Sequence, residues 1–176
     1  QNLPLGFDLA RSVGGAGTWL ETAYVIANGL KQEGKDPEEN YFRLSAGLDY
    51  SFSENSYAFC EYHFNGAGQT QARHYLQNLS KTAYQEGAVY LLGKHYLIPG
   101  YSYQFSPLIS GMVETLINLN DPSLYLALSA EYNVAQNLYL MIGSYIGLGK
   151  SPNNFAYESE FGSYPDTYFT SFRIYF

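Results

Sequence analysis

Nine charged side chains fall where an alternating chain would place them on one face. Six are acids (Asp8, Glu21, Asp49, Glu61, Glu114 and Glu131) and three are bases (Arg43, Lys94 and Arg173). They are spread over separate segments rather than gathered at one point. That arrangement suits a charged wall better than a catalytic centre. Carboxylates lining a passage between low-dielectric walls favour cations. The same charges could also be consumed by salt bridges and tyrosine packing, which would close the interior.

The remaining candidates for chemistry are sparse. His63, His74 and His95 lie on separate segments without the spacing of metal ligands, so no metal site and no cofactor are expected. Glu61 and His63 share one face of an alternating segment beside a long loop, an acid–imidazole pair that hydrolytic chemistry could use. No G-x-S-x-G nucleophile motif accompanies it, and the expectation is that the chain is not an enzyme, a hydrolase being the weakest reading. Cys60 is the single cysteine, so no internal disulfide can form, and it reads as a small apolar residue. The run holding Lys31, Glu33, Lys35, Asp36, Glu38 and Glu39 reads first as a solvated loop, although it could bind cations or a partner.

The elements that carry these residues are strands. Residues 41–52 show the clearest period of two: Phe42, Leu44, Ala46, Leu48, Tyr50 and Phe52 against Arg43, Ser45, Gly47, Asp49 and Ser51. The same alternation runs through 5–11, 18–27, 56–65, 90–105, 108–119, 124–133, 138–150 and 167–176, about nine strands in all. Pro99 predicts a bulge or bend within 90–105. Short turns at 53–56, 106–107 and 135–137 alternate with long loops at 28–40, 66–87 and 151–163, and 120–122 is a short exception. The loop at 66–87 is expected to carry a short helix over 71–85, with Tyr75, Leu76 and Leu79 as its apolar side and a role as plug, lid or surface helix.

Composition fits strands that meet lipid on one face. The 176 residues include 19 Tyr and 11 Phe, an aromatic content of 18%, while charged residues make up only 14%. Aromatic residues girdle membrane interfaces. Mean hydropathy is nonetheless slightly negative, as it is when only alternate residues face lipid. No run is long and apolar enough to predict a transmembrane helix. A net charge of −7 argues against nucleic acid as a partner. No signal peptide precedes Gln1; a leader already removed, or a chain that starts inside a longer protein, would account for that.

The last strand is the most telling. Tyr168, Thr170, Phe172, Ile174 and Phe176 fall on one face, and Thr167, Phe169, Ser171, Arg173 and Tyr175 on the other. A strand in lipid must be paired to its end, since an unpaired edge has no water to bond. This ending resembles the carboxyl-terminal assembly signal of Gram-negative outer-membrane β-barrel proteins, with Tyr168, Phe172, Ile174 and Phe176 matching its terminal aromatic and alternate apolar positions. The resemblance implies an antiparallel transmembrane β-barrel in the bacterial outer membrane, with residues 66–87 as an extracellular loop and the assembly machinery and outer-membrane lipid as partners.

Nine strands is an odd number, whereas single-chain bacterial barrels have even ones. The reading is therefore that 1–176 forms the carboxyl-terminal part of a larger barrel, with other strands or another chain completing it. The function expected is a porin-like channel for small solutes with a mildly cation-favouring lumen. The alternative is a structural barrel that docks another protein. A soluble lipocalin-like barrel with the apolar faces inside has the same periodicity.

Overall fold

A computed structural model of the protein describes residues 3–26, 40–153 and 156–175. The acidic loop expected at 28–40 lies outside the described residues except for Asn40, as does Phe176. Nine strands form one antiparallel meander: β1 (Leu3–Val13), β2 (Ala16–Ile26), β3 (Tyr41–Ser53), β4 (Ser56–Asn65), β5 (His95–Ser106), β6 (Ile109–Asn118), β7 (Ser123–Ala135), β8 (Leu138–Leu148) and β9 (Thr167–Ile174). Each strand pairs with its sequence neighbours in the order β1 to β9. β1 and β9 are each paired on one side only, so the sheet is not closed into a barrel among the described residues.

Turn chemistry explains the regular end of the sheet. Gly14 and Gly15 take the left-handed backbone between β1 and β2, and Asn137 does so between β7 and β8. Asparagine is among the few residues with a side chain that tolerate this region. Register shifts between Ser51 and Ser53, Gln104 and Ser106, and Asn133 and Ala135 all lie beside the short turns. The bulge expected at Pro99 is absent. The β4–β5 register runs unshifted through Pro99, opposite Cys60, and the β5–β6 register is the same on either side of it. Proline lacks only one ladder donor, and that loss leaves the register intact.

The faces separate as the alternation requires. One face, called outer here, carries Leu5, Phe7, Leu48, Phe52, Tyr101, Phe105, Ile142, Tyr168, Phe172 and Ile174, all exposed. The inner face carries most of the strand charges and glycines; Arg11 on β1 and Gly111 on β6 are outer-face exceptions. The small core lies at the end of the sheet opposite the short turns, where Val25 and Tyr41 on the inner faces of β2 and β3 are buried against Ala67, Ala83 and Val89.

Two sequence-based boundaries move at this end. The strand expected from Tyr90 begins only at His95, and the loop expected to stop at Gly87 runs on to Lys94. Lys94 therefore precedes β5 and lies on no strand. The physical reason is competition for backbone donors: side-chain oxygens accept from Leu92, Gly93 and Lys94 N–H, which removes them from the ladder. Helices α1 (Tyr75–Leu79) and α2 (Thr82–Gln85) follow a 3-10 turn at Ala72–His74. Of the expected apolar side, Tyr75 is buried, but Leu76 and Leu79 are exposed and Asn78 is buried instead. The buried side is fixed by hydrogen bonds, since Asn78 donates to the Leu92 carbonyl and to the Tyr84 hydroxyl.

Candidate functional site

Eight of the nine predicted charges share the inner face, and the exception is Lys94. Cross-strand pairing puts Asp8 opposite Glu21, Glu21 opposite Ser45, and Ser45 opposite His63. Asp49 fits against Gly17, whose missing side chain makes the room. Glu61 accepts from the Trp19 indole at 3.1 Å. Arg43 lies 5.9 Å from the Tyr41 ring centroid. At the short-turn end Glu131 and Arg173 form an ion pair, with the guanidinium 6.0 Å from the centroid of Tyr139. Glu114 has no hydrogen-bond or ion partner among the described residues. Glu131 is thus paired with Arg173, while the remaining acids of this face outnumber Arg43.

The inner face is also aromatic, and glycine makes it so. A side chain at Gly47 would collide with the Trp19 ring, one at Gly100 with Phe59, and one at Gly143 with Phe169. Each glycine sits directly across from its aromatic partner on the neighbouring strand. A glycine in a strand leaves a gap in the wall, and a cross-strand ring fills it. Further along, Tyr125, Tyr145 and Phe169 form a near-parallel series across β7, β8 and β9, with ring centroids 6.0 and 5.4 Å apart and planes within 7° and 24°.

At the long-loop end, two loops fold inward over this face and are knotted by Glu160. Its carboxylate accepts from Leu92 N–H at 2.8 Å, the Tyr96 hydroxyl at 2.5 Å, the Asn118 amide at 2.7 Å and, more weakly, Gly93 N–H at 3.4 Å. Asp121 forms the second centre. It accepts from the Tyr75 hydroxyl at 2.7 Å, the Glu160 N–H at 3.0 Å and the Ser123 hydroxyl. The knot joins residues 66–94, the β6–β7 turn and the β8–β9 loop. Tyr75, Tyr96, Asn78, Ser159, Glu160 and Phe161 have no exposed surface. The loop comes this close because Gly147 and Gly149 carry no side chain: a methyl group there would strike the Phe161 carbonyl or the Ser159 hydroxyl.

Burial pushes the Glu160 carboxyl above the ordinary carboxylate range, although its hydrogen bonds from Tyr96, Leu92, Gly93 and Asn118 pull it down. The Tyr84 and Tyr164 hydroxyls are pushed up to about 12, in both cases chiefly by burial. Tyr75 is raised as well, by burial and then by its bond to Asp121.

Three features escaped the sequence reading. Glu160 sits in a loop that reads as merely polar. Asn118 reads as one more polar-face residue near the end of the strand at 108–119. Ser45 was on the correct face, but only the register brings its hydroxyl to His63 Nδ1, at 2.8 Å. Glu61 and His63 do share the inner face, as expected, yet they engage different partners, Trp19 and Ser45. His95 Nδ1 meets the Tyr62 hydroxyl at 2.7 Å on the outer side. Among the described residues no cluster of His, Cys, Asp or Glu could hold a metal ion. No protein-family model, no curated protein and no solved structure matches this chain.

Proposed function

We propose that this chain is part of the wall of an outer-membrane β-barrel channel that favours small cations, and that further strands complete the barrel. The observation that carries the reading is the contrast between the two faces of one sheet. The outer face exposes apolar and aromatic side chains from Leu3 on β1 to Ile174 on β9. The inner face carries six acids and two bases within the strands. Soluble monomers rarely expose contiguous apolar patches beyond a few hundred Å², whereas a lipid-facing wall requires one.

Completion by further strands is supported by β1, whose eleven residues are all exposed. An unpaired edge cannot stand in lipid. In the native protein the β1 amides that point away from β2 are expected to be as protected from hydrogen exchange as those that point toward it. Rapid exchange of alternate β1 amides would mean an open edge and would overturn completion. Tyr168, Phe172 and Ile174 stand exposed along β9, as an assembly signal would need. Replacing Ile174 or Phe176 with a polar residue is expected to reduce outer-membrane insertion, measured by heat-modifiable migration of the folded barrel.

The channel itself is tested in planar bilayers. Stable conductance with cation preference is expected, and joint neutralisation by Asp49→Asn and Glu114→Gln is expected to lower that preference. Glu131→Gln alone is expected to lower it least, because Arg173 already offsets that charge. The absence of conductance at every voltage, with a second protein co-purifying stoichiometrically, would replace this reading with a docking barrel.

A further inference from the structure

We infer that the inner face of β6–β9 carries a binding site for an organic ammonium ion, a primary amine or quaternary ammonium head, with Glu114 as counter-ion and Tyr145 as the principal ring. The inference rests on the orientation proposed above only in naming this face the lumen; the site itself is a property of the sheet.

A concavity of about 370 Å³ lies on this face. Its walls are Glu114 and Leu116 on β6, Tyr125 on β7, Tyr145 on β8 and Phe169 on β9, with Met112 at one side. The floor is fixed by register: Glu114 pairs with Ala127, and Ala127 with Tyr145. Two inter-strand steps therefore separate the carboxylate strand from the ring strand, about 10 Å. Between them stands only the methyl group of Ala127, so a space the width of a small organic cation lies between acid and ring. On the far side of Glu114 its partner is Gly100, which has no side chain of its own.

Chemistry selects the ligand. Tyr125, Tyr145 and Phe169 step across three strands as near-parallel rings, and Tyr145 is 39% exposed, so part of its surface is free to meet a ligand. Aromatic faces attract cations, most strongly where water is partly excluded. The Met112 thioether adds a polarisable contact. Neutral apolar ligands would gain from the rings but would leave Glu114, a half-buried acid without a partner among the described residues, uncompensated. A bare metal ion would need several oxygen ligands, and Glu114 is the only carboxylate in the wall. An organic cation uses both features: its charge meets Glu114, and its methyl or methylene groups meet the rings.

The test uses the native protein in detergent and three probes: choline, its neutral isostere 3,3-dimethylbutan-1-ol, and potassium ion. Binding is read by calorimetry and by quenching of intrinsic fluorescence. Choline is expected to bind at least about tenfold more tightly than either competitor. Glu114→Gln and Tyr145→Leu are each expected to weaken choline about tenfold or more, while Glu21→Gln, an acid on the same face away from these rings, leaves it unchanged. Glu114 makes no internal bond among the described residues, so its substitution is expected to leave the fold in place, and fluorescence of the unliganded variant checks this. Equal binding of choline and the neutral isostere, or equal losses from Glu21→Gln and Glu114→Gln, would overturn the site. Binding without conductance would end the channel reading and keep the site; conductance without binding would do the reverse.

Discussion

The two extremes of this sheet are its knotted end and its first strand. At the knot, Glu160, Tyr96 and Tyr75 are wholly buried, each hydrogen-bonded to groups more than forty residues away in sequence. In β1 every residue is exposed on both faces, although its eleven-residue register with β2 is unbroken. The β1–β2 pairing is thus as regular as pairing in the centre, but it runs along one side of β1 only, and side-chain burial is absent. The knot supplies its own partners and needs nothing from outside. β1 has only one neighbouring strand, and among the described residues nothing covers its side chains.

The largest effect that would separate these regions is removal of the Glu160 carboxylate. Glu160→Ala leaves Leu92 N–H and the Tyr96 hydroxyl without their acceptor, while the Asn118 amide keeps Tyr75 and Asp121. Each buried orphan costs about 1–3 kcal/mol, so local stability is expected to fall by about 2 kcal/mol or more. Limited proteolysis is expected to cut within residues 66–94 while fragments containing β6 to β8 stay intact. Simultaneous loss of the strands would show that the two regions are not independent. Glu160→Gln keeps the shape and is expected to cost much less.

A smaller effect compares a glycine between inner strands of the sheet with one in β1. A side chain at Gly143 would strike the Phe169 ring and the Leu128 carbonyl, and the backbone cannot yield as a flexible side chain could. Gly143→Val is expected to cost about 1–3 kcal/mol through overpacking. At Gly6 in β1, an added methyl would meet only the Thr22 carbonyl at 3.5 Å, an ordinary contact. Gly6→Ala is expected to be neutral or to stabilise by about 0.5 kcal/mol, because alanine loses less freedom on folding. Denaturant midpoints of the two variants check the contrast. Similar losses at both positions would mean that β1 is packed in solution.

The same contrast explains what could be read from the sequence. The number of strands, their faces and the short turns were legible because they depend on a period of two and on local residues such as Gly14, Gly15 and Asn137. Faces place Ser45 and His63 together only in parity; which residue opposes which depends on turn length and bulges. The knot was not legible at all. Tyr96, Asn118 and Glu160 lie 42 to 64 residues apart along the bonds that join them, and none belongs to a recurring motif. The boundary at His95 failed for the same reason, since the donors that a strand would have used are taken by Glu160 and Asn120. Whether the sheet closes has no local signature either, because no alternation encodes a second neighbour for β1 or β9.

The smallest expected effect concerns pH, and it asks which force governs the knot. Burial disfavours an ionised Glu160, while the donors from Tyr96, Leu92, Gly93 and Asn118 favour it, and burial is the larger effect. With its folded pKa above the ordinary value of 4.5, the group binds more protons folded than unfolded. Stability of the knot then falls as pH rises from that value through the raised one, and it is fully present below. The groups packed on Glu160 supply no positive charge to reverse this: Tyr75, Tyr96, Asn118 and Asp121 are neutral or acidic. Hydrogen exchange at Leu92 and Gly93, corrected for intrinsic rates, is expected to be slower at pH 5 than at pH 8, and Glu160→Gln is expected to abolish the difference. Protection that is constant or rises with pH would show that the hydrogen bonds outweigh burial. The knot would then hold a permanent carboxylate, and Glu160→Gln would become nearly as damaging as Glu160→Ala.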